Sequence, residues 1–171
     1  MKLILILGGG VIGLIALVLI IGALLPSKHT ASREITLARA PTEVYAILRD
    51  FASAPKWRRE LKSVEILENV DGRTRFREDS KNGHITYEVV EDTPPEKLAT
   101  RIVDRDLGYF GTWTYYLSSA EQGTRVRITE EGEVPNVLFR FMSRFVFGHT
   151  ATTDAYLRAL GRKFAEEVTP K

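Results

Sequence analysis

Hydrophobic and polar positions divide the chain into three stretches with different periods. From Leu3 to Leu25 no position is charged or strongly polar, and the run reads LILILGGGVIGLIALVLIIGALL between Lys2 and Pro26-Ser27-Lys28. From Ser32 onward, apolar and polar residues alternate in short runs, with one helical interlude. From Val137 the spacing becomes helical again.

In the middle stretch, Ser32–Arg39 sets Ile35 and Leu37 against Glu34 and Thr36, which predicts a first strand. Ala40-Pro41-Thr42-Glu43 opens a helix, with Pro in the first turn and an acid near the positive end of the dipole. Val44, Ile47, Leu48 and Phe51 then form an apolar stripe at helical spacing. A short second helix is expected over Pro55–Leu61 and contains Trp57. Further strands are expected over Val64–Val70, Arg73–Ser80, His84–Glu91, Lys97–Arg105, Thr112–Ser118 and Thr124–Glu131. Asp71-Gly72 and Asn82-Gly83 supply the positive φ angles of tight hairpin turns.

The last stretch predicts a helix over Val137–Phe147, with Leu138, Phe141, Met142 and Phe145 on one face and Arg140 and Arg144 opposite. Gly148-His149 breaks it, and a second helix over Thr150–Val168 carries Thr153, Leu157, Leu160, Phe164 and Val168 on its apolar stripe. The order is strand, two helices, an antiparallel meander and a long C-terminal helix, an α+β arrangement of about seven strands. One sheet face must be covered, and the last helix is the element long enough to do it. Phe76, Tyr87, Trp113, Tyr115, Leu117, Val126 and Ile128 can point to that covered face. Arg73, Arg75, Arg77, Glu88, Arg125, Arg127 and Glu131 can point the other way, as a solvated face laced by cross-strand ion pairs.

The first apolar run has two incompatible readings. Gly8, Gly10 and Gly13 match the Gly-x-Gly-x-x-Gly of a dinucleotide-binding turn. That turn needs an amphipathic helix after it, and Leu-Ile-Ala-Leu-Val-Leu-Ile-Ile is apolar all round. Glu34 stands where a ribose-binding acid would be, yet it begins an alternating segment, and no further βαβ unit follows. A membrane span fits instead: the 23 residues of the run reach about 34 Å, enough for a hydrocarbon core of about 30 Å. A cleaved signal peptide has a shorter core and a small-x-small site, which Leu-Leu-Pro-Ser-Lys-His does not provide. The expected organisation is a transmembrane helix over 1–26, a linker over 27–31 and a domain over 32–168. The side of the membrane is unresolved: the Lys/Arg count favours a cytoplasmic domain, whereas the short N-terminus also suits export. Gly9 and Gly13 have the spacing of a helix-packing GxxxG, so a weak helix-mediated dimer stays open beside the plainer reading of lipid-facing glycines.

Charge narrows the function. Lys2 and Lys28, two of the 24 basic residues, flank the run, and the rest match the 22 acids. A neutral domain is poorly suited to binding nucleic acid. With no cysteine and three scattered histidines, His29, His84 and His149, no metal site is expected. No cofactor is expected either. His84 follows a tight turn and is expected to be exposed; His149 is expected to cap a helix end, with a place at a pocket mouth as its alternative.

The chain resembles the SRPBCC superfamily, also called START/Bet v 1-like or polyketide cyclase/dehydrase-like, over roughly Ser32 to Glu167. The resemblance is carried by the strand entering Ala40-Pro41-Thr42-Glu43-Val44-Tyr45, by Pro55-Lys56-Trp57 and by Thr93-Pro94-Pro95-Glu96-Lys97-Leu98. It continues in Gly111-Thr112-Trp113-Thr114 and in Gly123-Thr124-Arg125-Val126 running to Glu130. It implies a helix-grip fold, in which a curved sheet wraps a long C-terminal helix, with a hydrophobic cavity between them. It implies no reaction, because the superfamily includes carriers, cyclases and regulatory binders.

The inward aromatics Phe76, Tyr87, Trp113 and Tyr115, with Val126, Ile128, Phe141, Phe145 and Leu157, are the candidate ligand-binding residues. Glu130 and Glu78 are the candidate polar residues of the pocket. An inward carboxyl there could act as a general acid or base, whereas a rim carboxylate paired with Arg is the plainer reading. The leading expectation is a membrane-anchored binder of a hydrophobic small molecule or lipid. The alternatives are a polyketide cyclase or dehydratase using an inward carboxylate, and an interaction module with a filled core. The Val137–Phe147 helix is expected to pack over the sheet, with a place in the lipid interface as its alternative.

Overall fold

Helix α1 (Lys2–Leu24) leads with one turn of chain into strand β1 (Lys28–Leu37), helix α2 (Pro41–Arg49) and a 3-10 helix (Phe51–Lys56). Strands β2 (Leu61–Val70), β3 (Arg73–Ser80), β4 (Gly83–Thr93), β5 (Lys97–Ile102), β6 (Phe110–Ala120) and β7 (Gly123–Glu133) follow. The chain closes with α3 (Val137–Met142), a π-helical turn (Ser143–Phe147) and α4 (Ala151–Lys163). This computed structural model describes residues 2–81 and 83–171, with the side chains of 2–7 and 147 left out. Asn82 of the second expected turn therefore lies outside the described residues.

The strands make a single antiparallel sheet in the order β1-β7-β6-β5-β4-β3-β2. β2 to β7 are a meander, and β1 returns to pair with β7 from Lys28↔Glu133 to Leu37↔Thr124. The first hairpin is built as its sequence demands: Asp71 and Gly72 have φ of 51° and 76°, the doubly positive pair of a primed turn. At the other end Gly123 is obligatory. A Cβ there would sit 2.1 Å from the Leu37 carbonyl oxygen, at a φ of 119°.

The inner face of the sheet, α2 and α4 share one core. Leu37, Val44, Leu98, Val126, Ile128, Leu157 and Leu160 are all fully buried in it. The outer face is charged, as the alternation predicts. Glu88 accepts from Arg75 at 2.7 Å, Arg101 at 3.0 Å and Arg73 at 3.1 Å. Glu34 accepts from Arg127 at 3.0 Å, and Glu65 pairs with Arg77. The Arg75 hydrogen bond, joined by those of its neighbours, holds the Glu88 carboxyl below its usual range. Glu88 is shielded by its three guanidinium partners rather than by apolar core.

The expected second helix over Pro55–Leu61 is instead a 3-10 helix at Phe51–Lys56, and Leu61 begins β2; three further expectations change. β1 begins at Lys28, within the expected linker, so only Leu25, Pro26 and Ser27 lie between it and α1. The segment after Val137 does not lie over the sheet. α3 has no buried residue and packs instead along the end of α1, where a Cβ on Gly22 would stand 2.3 Å from the Val137 carbonyl oxygen. Helix α4 stops at Lys163, and Ala165, at φ 58°, reverses the chain so that Val168 packs back onto Gly161.

The junction of α1 with the domain is held by Arg140. Its guanidinium donates to the carbonyls of Pro135 at 2.8 Å, Val134 at 2.9 Å and Leu25 at 3.0 Å. The Leu25 bond satisfies one of the carbonyls that a helix end leaves without an intrahelical partner. Residues 3–25, read above as a span, do lie in one unbroken helix over almost their full length. Its side chains are described only from Gly8, and among the described residues no helix is long and apolar enough to cross a membrane.

Candidate functional site

The aromatic side chains on the concave face do not close completely. Phe76 stacks on Phe51 and Tyr87, with ring centroids 3.9 and 5.2 Å apart. Tyr156 of α4 stands edge-on to Trp57 at 5.4 Å and to Trp113 at 5.7 Å, and tilted to Tyr115 at 5.6 Å. A small void of about 80 Å³ remains among these rings. A larger cavity of about 360 Å³ continues outward, past Ile85, Ile102, Tyr109, Phe110 and Glu130. Arg58, Glu78, Tyr87, Thr100, Trp113 and Thr152 border both spaces and form the partition between them.

An ion pair forms the centre of that partition. Arg58 leaves the 3-10 helix just after Trp57 and reaches Glu78 of β3 through both terminal nitrogens, Nη2 to Oε2 at 3.1 Å. Its Nε donates to Glu60 at 2.8 Å, and its guanidinium lies 4.9 Å from the centre of the Tyr156 ring. The side chains of Arg58 and Glu78 are 14% and 12% exposed. Burial works against the Arg58 charge, but Glu78 and its other partners outweigh burial, and Arg58 is held above its ordinary value. Burial also pushes Tyr87 well up, with Glu78 adding to the effect. Tyr156 is pushed up to about 12, mostly by burial and against the pull of Arg58. The tyrosines therefore stay neutral hydroxyls at physiological pH.

The candidate residues separate into three groups. Phe76, Tyr87, Trp113 and Tyr115 line the inner void, and Tyr87 and Trp113 also border the outer cavity. Val126, Ile128 and Leu157 are sealed in the core and border neither space. Phe141 and Phe145 lie on the α3 segment, 5.0 Å from each other, away from the cavity, and Phe145 is exposed. Glu78 points inward, with both oxygens engaged by Arg58. Glu130 borders the outer cavity, and its Oε1 lies 3.5 Å from His29 Nε2. His84 is exposed. His149 caps no helix end; it stacks on His29 at 4.1 Å, with its Nδ1 3.2 Å from the Ser143 hydroxyl.

Sequence reasoning missed Arg58, Tyr156 and Thr152. Nothing in the local pattern separates Arg58 from Lys56 or Arg59, because its role is set by Glu78, which lies 20 residues further along the chain. Tyr156 falls beside the α4 stripe rather than on it.

The site can hold an apolar body against aromatic walls and offer it a guanidinium edge and neutral hydroxyls. Among the described residues no cluster of three or more His, Cys, Asp or Glu could hold a metal ion.

Comparison with known structures gives the same architecture. The di-domain ARO/CYC StfQ of the steffimycin biosynthetic pathway aligns at 14% identity with a TM-score of 0.65, over 78% of this chain and 50% of its own. This chain thus spans about half the length of that di-domain protein. A START superfamily protein from Mycobacterium smegmatis aligns at 18% identity with a TM-score of 0.60, over 80% of this chain and 95% of its own. Norcoclaurine synthase from Thalictrum flavum aligns at 12% identity with a TM-score of 0.64, over 82% of this chain and 88% of its own. At such identities the likeness is one of fold. No curated protein matches the chain. The sequence pattern of one family does match, over residues 28–167, nearly the whole domain after α1. The chain belongs to the polyketide cyclase/dehydrase and lipid transport family.

Proposed function

We propose that the protein is a membrane-tethered binder of a hydrophobic small molecule or lipid, which it holds between the sheet and α4. The outer cavity carries this reading. Its volume of about 360 Å³ falls in the range of small-molecule pockets, and it sets aromatic and apolar walls, among them Tyr87, Trp113, Ile85 and Ile102, beside the charged groups Arg58, Glu60, Glu78 and Glu130. The tether rests on the apolar run from Leu3 to Leu25, which joins β1 within three residues. Such a short connection would keep the cavity near the bilayer, where hydrophobic ligands concentrate.

The test is energy transfer from tryptophan, with the full chain in mild detergent, to anthracene and to a fluorescent fatty acid. Saturable transfer in the micromolar range that weakens in Trp113→Leu supports the reading. Linear, unsaturable transfer with both probes rules it out.

A cyclase-like reading draws on one observation, the Arg58–Glu78 pair beside Tyr87. A substrate carbonyl seated there would be polarised by a fixed cation in a water-poor site. Its proton acceptor would have to be Glu78 or Glu130. A cyclised product formed from a poly-β-ketone, and lost in Arg58→Met/Glu78→Leu, would favour this reading over carriage alone.

A further inference from the structure

A second cavity lies at the root of α1, bounded by Leu25–Thr30, Val134 and the α3 segment, with a volume of about 390 Å³. It shares no lining residue with the aromatic cavity. Its charged lining is Lys28, Arg140 and Arg144, accompanied by the imidazoles of His29 and His149, and no carboxylate residue lines it. Across the outer sheet face, by contrast, arginines converge on Glu88, Glu34 and Glu65. Among the described residues Lys28, Arg140 and Arg144 have no ion-pair partner.

Arg140 is fixed rather than free. Three of its five N–H groups are spent on the Leu25, Val134 and Pro135 carbonyls, so its charge is held at the cavity wall. Beside the cavity, Leu138 and Phe139 of α3 and Phe145 and Val146 of the π-helical turn expose half or more of their surface. Unanswered cations therefore sit at the end of an apolar helix, next to uncovered apolar side chains.

We propose that this cavity seats the phosphate group of an anionic phospholipid whose acyl chains lie along α1 and α3. A choline or ethanolamine headgroup brings its own ammonium, and the lining holds no carboxylate to receive it. A net-negative headgroup such as that of phosphatidylglycerol needs no such partner. The exposed apolar side chains favour a lipid over a free phosphate, which would leave them in water. The inference rests on α1 lying in a bilayer.

The test uses the full chain, released from mild detergent in native mass spectrometry and titrated separately with phosphatidylglycerol, phosphatidylcholine and inorganic phosphate. The chain should retain phosphatidylglycerol about tenfold better than phosphatidylcholine, since each basic residue near an anionic surface adds a similar modest attraction. Lys28→Gln/Arg144→Gln removes two exposed cations, leaves the Arg140 lock intact and should abolish that preference without lowering Tm. Equal retention of the two lipids overturns the proposal, as does an unchanged preference in the double variant. Inorganic phosphate that displaces phosphatidylglycerol overturns the lipid assignment in favour of a free-phosphate site. Alkaline extraction from phosphatidylcholine vesicles tests the tether on its own. A chain stripped by alkali removes the membrane reading and the lipid with it, whereas a chain that stays but lacks headgroup preference removes only this site.

Discussion

Two cavities of the protein are built around arginine, and the two treat it in opposite ways. In the aromatic cavity Arg58 is met by Glu78 and Glu60 and covered by the Tyr156 ring. In the cavity at the root of α1, Arg140 is met by backbone carbonyls, and among the described residues Lys28 and Arg144 have no ion-pair partner. A cation neutralised inside the fold shapes a pocket without adding positive charge to it. A cation held in place but left unneutralised keeps its attraction for an outside anion.

The sharpest way to break the contrast is to remove one half of the buried pair. Arg58→Met leaves Glu78 without its partner, and uncompensated buried charges of this kind cost about 3–5 kcal/mol. Urea unfolding should show that loss, and Arg58→Met/Glu78→Leu should recover most of it. Equal stability of the single and double variants would mean that the pair is not coupled.

The second cavity should respond less, and locally. Gly22→Ala places a methyl group against the Val137 carbonyl oxygen, and overpacking of this sort costs about 1–3 kcal/mol. Amide exchange should speed up across 137–149 while the sheet keeps its protection. Uniform exchange rates would show that α1 and α3 do not depend on each other.

Acid should act on the outer sheet face next. Because Arg75 and its neighbours hold the Glu88 carboxyl low, its contribution is complete above the ordinary carboxylate value near 4.5 and is lost as pH falls through the lowered one. Between pH 7 and 3 the urea midpoint should fall more steeply in the parent than in Glu88→Gln. Parallel curves would argue against the three-arginine cradle.

The smallest effect belongs to His149. Burial, with His29 and Arg144 nearby, lowers its pKa, so the unfolded chain takes up the proton first as pH falls. Packing at the π-helical turn is complete above the ordinary histidine value near 6.5 and loosens below it. Amide exchange at 143–149 should rise over that interval, and His149→Phe should flatten the rise.

Local pattern revealed much of this fold. The alternation of Arg73, Arg75 and Arg77 with Thr74, Phe76 and Glu78 marks β3 over all but its last two residues. Asp71-Gly72 marks its turn for an equally local reason. β1 was harder to read: Lys28-His29-Thr30 contains no apolar residue, and its strand character comes from pairing with Glu133, Gly132 and Glu131. Val168 is apolar and inward as its spacing implies, but a reversal at Ala165 rather than another helical turn brings it home. The partition of the aromatic cavity could not be read at all. Its centre is a contact between a 3-10 helix and a strand, and no periodicity records which arginine meets which glutamate. The α3 segment was misplaced because its apolar face resembles a core face, while the surface that receives it belongs to a helix far away in sequence.

The closeness of Gly22 to Val137 also fixes how α1 is turned about its own axis. At about 100° per residue, Gly13 lies about 180° around the helix from Gly22, and Gly9 lies near it. The domain occupies the Gly22 side, so the small-residue face of α1 is directed away from it. Val137 thus works as a key in a slot: it determines which flank of the helix the rest of the protein hides and which it presents to its surroundings.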